Sequence, residues 1–215
     1  LIARMLECHD KSKFKIFGFY FGTKHKENDR FYKRFKNTFD EFHNIFSMSD
    51  QEVKKLSNDL GIDIAVDLMA HTGGEECRLS MFSNRLAQTQ INFLGYPGTS
   101  GANFIDYILA DKLVIPEKNK KFFSEKVIYL PHSYQPSELN RIISNRKLSK
   151  RDFNLPENKF IYCCFNSNQK ILPSHFNVWM NILKKTPDSI LWLLSGNDTS
   201  DKNLISEAEK KKCRV

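Results

Sequence analysis

The side chains best suited to chemistry lie where apolar runs give way to glycine, hydroxyl and amide residues. The run IDIAVDLMA (62–70) is followed by His71, Thr72, Gly73 and Gly74. An imidazole at that point can act as a base or hydrogen-bond a ligand. The Thr72 hydroxyl and the glycine amides suit a phosphate or a sugar, and an exposed turn is the competing reading. The run TQINFLGY leads into Gly95, Tyr96, Pro97, Gly98, Thr99, Ser100 and Gly101. The chain has nine glycines in all, so this concentration exceeds what a turn needs. It lets backbone N–H groups come close to a ligand. The spacing is neither the dinucleotide G-x-G-x-x-G pattern nor a P-loop, and on spacing alone a ligand loop and a plain turn both stay open. In FNSNQKILP, Lys170 is a cation at a strand-to-helix junction, able to offset a diphosphate. Asn166, Ser167 and Gln169 add uncharged hydrogen-bonding groups, against which stands the reading of a solvated surface lysine. His132 in LPHSY either lines a cleft or is a loop histidine.

These stretches need a frame that sets them side by side. KFKIFGFYFG (13–22) reads as a strand, KENDRFYKRFKNTF as a helix and FDEFHNI as a short strand. SDQEVKKLSNDLG reads as a helix, with Ser49 and Glu52 forming a capping box and Gly61 the stop. IDIAVDLMA has the continuous apolar character of a buried parallel strand. ECRLSMFSNRLA is amphipathic and predicts a helix; TQINFLGY, FIDYILAD and EKVIYLP predict strands. After a polar, basic stretch the alternation resumes: strand KFIYCCFN, helix PSHFNVWMNILKK with Pro173 in its first turn, strand SILWLLSG and the start of a helix in DKNLISEAEKKK. Strands alternating with helices predict α/β units with parallel sheets. The expected division is 1–135, a linker over 136–154, and a second, truncated unit over 155–215. In such sheets ligands bind beyond the carboxyl ends of the strands, where the stretches above fall.

Composition narrows the classes. The chain has 215 residues, 40% hydrophobic and 27% charged, with no apolar run long enough to span a membrane. Its beginning lacks the apolar core of a signal peptide. Its five cysteines show no C-x-x-C spacing, which fits a reducing cytoplasm and neither a disulfide framework nor a zinc site. Cys163 and Cys164 lie in an apolar run and read as core residues. The net charge of +8 is scattered over KHKENDRFYKRFK, EKNKK and NRKLSKR without interleaved aromatic platforms. That argues against a nucleic-acid footprint. No H-E-x-x-H, G-x-S-x-G or D-x-D occurs. Both ends read as cuts within a longer protein.

HTGGEECRLSMFSNRLAQTQINFLGYPGTSGANFIDYILAD, followed by EKVIYLPHSYQP, closely resembles the catalytic region of bacterial-type O-GlcNAc transferases. FIYCCFNSNQKILPSHFNVWMNILKKTPDSILWLL resembles the start of that family's second domain, and the likeness runs from about residue 13 to about 196. The resemblance implies a GT-B fold of two Rossmann-like domains and transfer of GlcNAc from UDP-GlcNAc to Ser or Thr of proteins. It implies inversion at the anomeric carbon, no metal and no cofactor beyond the donor. Lys170 matches the lysine at the UDP diphosphate. Thr72 matches the family threonine near the acceptor and donor sugar, and the Gly95-Tyr96-Pro97-Gly98-Thr99 segment matches the loop at the cleft, whose glycines let the backbone approach the donor sugar. Ser167 stands where animal members carry Gln, and His71 where they carry Tyr and bacterial relatives often His. Further family elements, including tetratricopeptide repeats, would lie outside this chain, so the chain alone is expected to be inactive. UDP-glucose-dependent N-glycosylation on the same scaffold and a silent binding protein are the alternatives.

Overall fold

A computed structural model describes residues 2–22, 29–72 and 77–213. The chain divides into one unit over Leu1–Ile142 and another over Ile143–Val215.

The first unit begins with a short helix α1 (Ala3–Glu7), which the sequence reading did not anticipate. Strand β1 (Phe17–Tyr20) follows, then α2 (Arg30–Thr38), whose amino end is capped by Asp29. Strand β2 (Glu41–Asn44) pairs in parallel with β1. Helix α3 (Asp50–Asp59) forms where predicted, with the reciprocal Ser49–Glu52 capping box in place. Arg34 ties this unit together, reaching Glu7 of α1 at 2.6 Å and Glu138 at 3.1 Å.

A four-stranded sheet carries the site loops. Its order is β3 (Ile64–Asp67), β4 (Thr89–Phe93), β5 (Tyr107–Ala110) and β6 (Lys126–Tyr129), and every neighbouring pair is parallel. Ile45, Val53, Met81, Phe82, Leu86 and Ile105 form its main core, with a smaller cluster of Ile108, Ala110 and Ile115 beyond it.

Sequence and structure part at two places here. The strand read as buried is an outer strand: β3 pairs only with β4 among the described residues, and Ile64 and Val66 are 55% and 44% exposed. The helix expected from ECRLSMFSNRLA is a 3₁₀ helix over Leu79–Asn84. Gln90 explains it: its side-chain amide donates to the Phe82 carbonyl (2.9 Å) and accepts from the Leu86 amide (2.8 Å). These bonds take backbone groups that a longer α-helix would use internally. As the sequence reading of polar loops there expects, the connections from β4 to β5 and from β5 to β6 contain no α-helix. The first of them, residues 94–106, is the glycine-rich stretch itself.

In the second unit, strands β7 (Phe160–Cys164) and β8 (Ser189–Leu193) pair in parallel. Helix α4 (Pro173–Lys185) joins them, starting on Pro173 as the fixed φ of proline favours. Helix α5 (Asp198–Lys210) follows β8. Phe176, Met180, Leu183, Ala208 and Cys213 bury together, with Tyr162, Leu191 and Leu193 of the strands against them. Cys163 is not a core residue. It alternates to the other side of β7 from Tyr162 and is exposed, beside Trp192 in register. Among the described residues no helix is long and apolar enough to cross a membrane.

Candidate functional site

The turn after β3 is built by Asp67. Its buried carboxylate accepts from the Met69 amide at 2.9 Å and the Ala70 amide at 3.1 Å. An aspartate that captures the amides just ahead of it reverses the chain in a defined shape. Ala70 sits there at φ 45°, and His71 and Thr72 follow, exposed. The Thr72 hydroxyl donates to the Met69 carbonyl at 2.7 Å, which leaves its lone pairs outward. His71 Nε2 lies 2.9 Å from the Ser100 carbonyl oxygen. A carbonyl can only accept, so Nε2 carries the hydrogen and a neutral His71 offers Nδ1 as acceptor. The ring stands edge-on to Tyr96 with centroids 5.5 Å apart. Gly73 and Gly74 lie outside the described residues.

The glycine loop leaves β4 through Leu94 at φ 77°. At Gly95 any Cβ would collide with the Leu68 carbonyl oxygen and sit 2.9 Å from the Met69 Cα. This glycine is therefore required by a neighbouring backbone, that of the turn after β3. Gly101 holds φ 69°, where L side chains are strained. Gly95, Tyr96 and Pro97 form an exposed crest, whereas Ser100 is buried. Gly98 lies under the Tyr96 ring. Beneath the crest, Asn92 is fully buried; its amide nitrogen is 3.5 Å from the Tyr96 carbonyl and its Oδ1 has no partner.

The foot of the loop is gripped by Glu125, just before β6. Its Oε1 accepts from the Ser100 amide (2.6 Å) and from the Ser100 hydroxyl. Its Oε2 accepts from the Thr99 hydroxyl at 2.7 Å and the Ser124 hydroxyl at 3.1 Å. Burial opposes ionisation of Glu125, but the hydrogen bonds from Ser100 and Thr99 outweigh it and hold the carboxyl below its usual range. At the far side of the sheet, Asp111 after β5 accepts from the Tyr134 amide (2.9 Å) and the Leu113 and Val114 amides. These bonds depress its pKa and pin the segment in which His132 stands exposed.

In the second unit, β7 runs into Asn166, Ser167 and the 3₁₀ turn Asn168–Lys170. Asn166, Ser167, Gln169 and Lys170 are exposed. The Lys170 ammonium forms no ion pair among the described residues, while its amide closes the turn on the Ser167 carbonyl at 2.9 Å. Asn168 fixes the turn. Its side chain reaches the Ser200 hydroxyl at 3.0 Å and, with its amide oriented to satisfy both ends, the Leu194 carbonyl and Gly196 amide. The result is a held backbone presenting an exposed lysine, without an ion pair among the described residues, beyond the carboxyl end of β7. No cluster of His, Cys, Asp and Glu able to hold a metal ion occurs among the described residues.

Asp67, Glu125, Asp111 and Asn168 are the site-building residues that sequence reasoning missed. The only available signal was their position, each beside a strand end. Asp67 and part of Asp111 hold amides just ahead of them, whereas Glu125, Asn168 and the Asp111–Tyr134 bond take partners from other segments.

Parallel α/β units that collect glycines, hydroxyls and an unpaired lysine beyond strand carboxyl ends define a ligand-binding class in which nucleotides are frequent occupants. The sequence pattern of glycosyl transferase family 41 matches residues 1–151 and 139–214, and the chain belongs to that family. It is 32% identical over 199 residues to a probable UDP-N-acetylglucosamine–peptide N-acetylglucosaminyltransferase, SEC, of Arabidopsis thaliana, covering 90% of this chain and 20% of the relative. With the UDP-N-acetylglucosamine–peptide N-acetylglucosaminyltransferase of Caenorhabditis elegans it shares 31% identity over 128 residues, 59% of this chain and 11% of that one. Among solved structures, a mutant of the Thermobaculum terrenum O-GlcNAc transferase superposes with a TM-score of 0.84 at 22% identity, over 99% of this chain and 39% of that one. The fold is thus α/β with parallel sheets, of the GT-B type. The chain spans about a fifth or less of the length of these curated relatives.

Proposed function

We propose that the protein carrying this chain transfers GlcNAc from UDP-GlcNAc to Ser or Thr hydroxyls of proteins, with inversion and without a metal. Family membership sets the reaction class, and the relatives named for UDP-N-acetylglucosamine and peptide suggest donor and acceptor. The observation that carries the reading is Lys170, an unpaired ammonium on a turn held by Asn168.

The acceptor hydroxyl attacks the anomeric carbon as the bond to the UDP oxygen breaks. The hydroxyl proton leaves to a base, and the diphosphate gains negative charge. Lys170 stabilises that charge without metal help, and a cation already in place needs no reorganisation as the bond breaks. Asn166, Ser167 and Gln169 donate to or accept from the nucleotide portion. His71, Thr72 and the Gly95–Thr99 segment belong to the sugar end, with Nδ1 of His71 as the acceptor for a proton or a sugar hydroxyl. Gly73 is assigned there with them. A chain that spans about a fifth or less of these relatives' length does not turn over by itself, and its setting is the cytoplasm.

The deciding experiment incubates the full-length protein with UDP-GlcNAc or UDP-glucose and a cytoplasmic lysate, with Lys170→Ala as control, and maps added sugar by mass spectrometry. HexNAc on Ser or Thr, lost in the control, is the expected result. Hexose on Asn, or no transfer with either donor, overturns it.

A further inference from the structure

We propose that Glu125 is the positioning residue of the glycine loop. Acting through Thr99 and Ser100, it sets the height at which Gly95, Tyr96 and Pro97 meet the sugar of a nucleotide-sugar donor. The inference rests on the transferase reading above and adds to it a residue that touches no substrate.

Residues 94–106 connect two parallel strands without a helix, so little regular hydrogen bonding fixes their path. The crest is exposed and contains two residues, Gly95 and Pro97, that have no side-chain polar group to anchor it. Apart from the Asn92 contact with the Tyr96 carbonyl, the Gly95 contact with the turn after β3 and the His71–Tyr96 ring contact, its shape comes from the foot. There Glu125 is only 4% exposed, and its oxygens are taken up by the Ser100 amide, the Ser100 and Thr99 hydroxyls and Ser124. None of these partners is a cation. A buried carboxylate is costly unless its oxygens are satisfied, and an ionised acceptor makes shorter and stronger bonds than a neutral amide would. The charge stiffens the grip on one short segment. His71 holds the Ser100 carbonyl from the β3 side, so Ser100 is held at its amide, hydroxyl and carbonyl. The Thr99 oxygen also accepts from the Gly101 amide (3.1 Å) and the Ser124 amide (3.2 Å). Thr99 therefore turns inward and serves the donor through the loop.

The test uses full-length protein carrying Glu125→Gln, which keeps shape and loses charge, Thr99→Val, and the pair combined. KM for UDP-GlcNAc, Kd for UDP and deuterium exchange of the 95–101 amides are measured. Donor KM should rise roughly tenfold or more in Glu125→Gln, as expected for a lost charge-assisted bond. UDP affinity should stay within about twofold, because the free nucleotide does not need the loop that meets the sugar. Loop exchange should accelerate, and the double variant should be no worse than Glu125→Gln, since both changes open the same clasp. If Glu125→Gln does not fold, Thr99→Val carries the same comparison. Unchanged exchange overturns the proposal, and so does a parallel loss of donor and UDP binding, which marks general destabilisation. A wild type that neither transfers nor hydrolyses UDP-GlcNAc, with exchange still accelerated in the variants, overturns the donor role together with the transferase reading.

Discussion

His71 Nε2 donates to the Ser100 carbonyl oxygen at 2.9 Å, and this bond ties the turn after β3 to the loop after β4. Replacing His71 by Phe keeps an aromatic ring against Tyr96 and removes the donor. If the bond only positions the loop, kcat/KM should fall about 2- to 12-fold, the worth of a typical hydrogen bond. A loss of roughly 100-fold or more would instead identify Nδ1 as a general base.

Lys170 is exposed and has no ion pair among the described residues, so the described fold gains little from its charge. Lys170→Ala should leave the melting temperature unchanged and lower kcat by roughly a hundredfold or more. Steady-state kinetics beside a thermal melt separate the effects. Near-normal turnover would remove the lysine from the mechanism.

Two glycines of the loop should fail for different reasons. At Gly95 a methyl group meets backbone atoms of Leu68 and Met69, which cannot swing aside. Gly95→Ala should cost about 1–3 kcal/mol, as overpacking does. Gly101 has open space around it but a φ of 69°, so Gly101→Ala should cost only the left-handed strain, about 1–2 kcal/mol. Urea unfolding measures both. Only the first should also disturb donor binding, because only Gly95 abuts the turn that carries His71.

Acid should loosen the first unit through specific carboxylates. Glu125 and Asp106 hold depressed pKa values despite their burial, through Ser100 and Thr99 in one case and Arg85 and the Gln90 amide in the other. Asp111 is depressed by the Tyr134, Val114 and Leu113 amides. A group whose folded pKa lies below its unfolded value binds fewer protons when folded. Its stabilisation is complete above the ordinary carboxylate range, near pH ~4, and is lost as pH falls through the depressed value. Unfolding midpoints in urea should therefore drop between pH 5 and pH 3 by roughly the same course for each carboxylate left intact. Asp111→Asn should flatten that fall.

If Lys170 meets the diphosphate charge unaided, a chelator should leave transfer unchanged within about twofold, because no metal then contributes to charge stabilisation. Loss of activity on EDTA treatment, restored by Mg²⁺ or Mn²⁺, would replace the lysine-only account.

Periodic and capping signals made the fold largely legible. The Ser49–Glu52 box, the Pro173 start of α4 and the parallel pairing of short apolar strands all have local causes. The failures have nonlocal ones. Gln90 ends the 3₁₀ helix over Leu79–Asn84 from the next strand, and no pattern within 79–84 carries that instruction. The exposure of Ile64 and Val66 depends on what lies beyond an outer strand. Of the candidate site, the glycines, His71 and Lys170 stand out in the sequence because their types are conspicuous. Glu125 was not, since a glutamate in Ser-Glu-Lys looks like ordinary solvated charge until Thr99 and Ser100 are brought beneath it.

The segment from 94 to 106 is the link between two strands and, in the proposed transferase, the wall offered to the donor. Its length is thereby locked: an added residue would shift either the Glu125 clasp or the Gly95 contact out of reach. Stretches such as 139–143, where Leu139 and Ile142 are 93% and 94% exposed, carry no such lock. Under the transferase reading proposed above, a change of donor preference runs through the crest side chains at constant length rather than through insertion. An engineer seeking a new sugar should follow the same route, recoding Tyr96 and its neighbours at constant loop length.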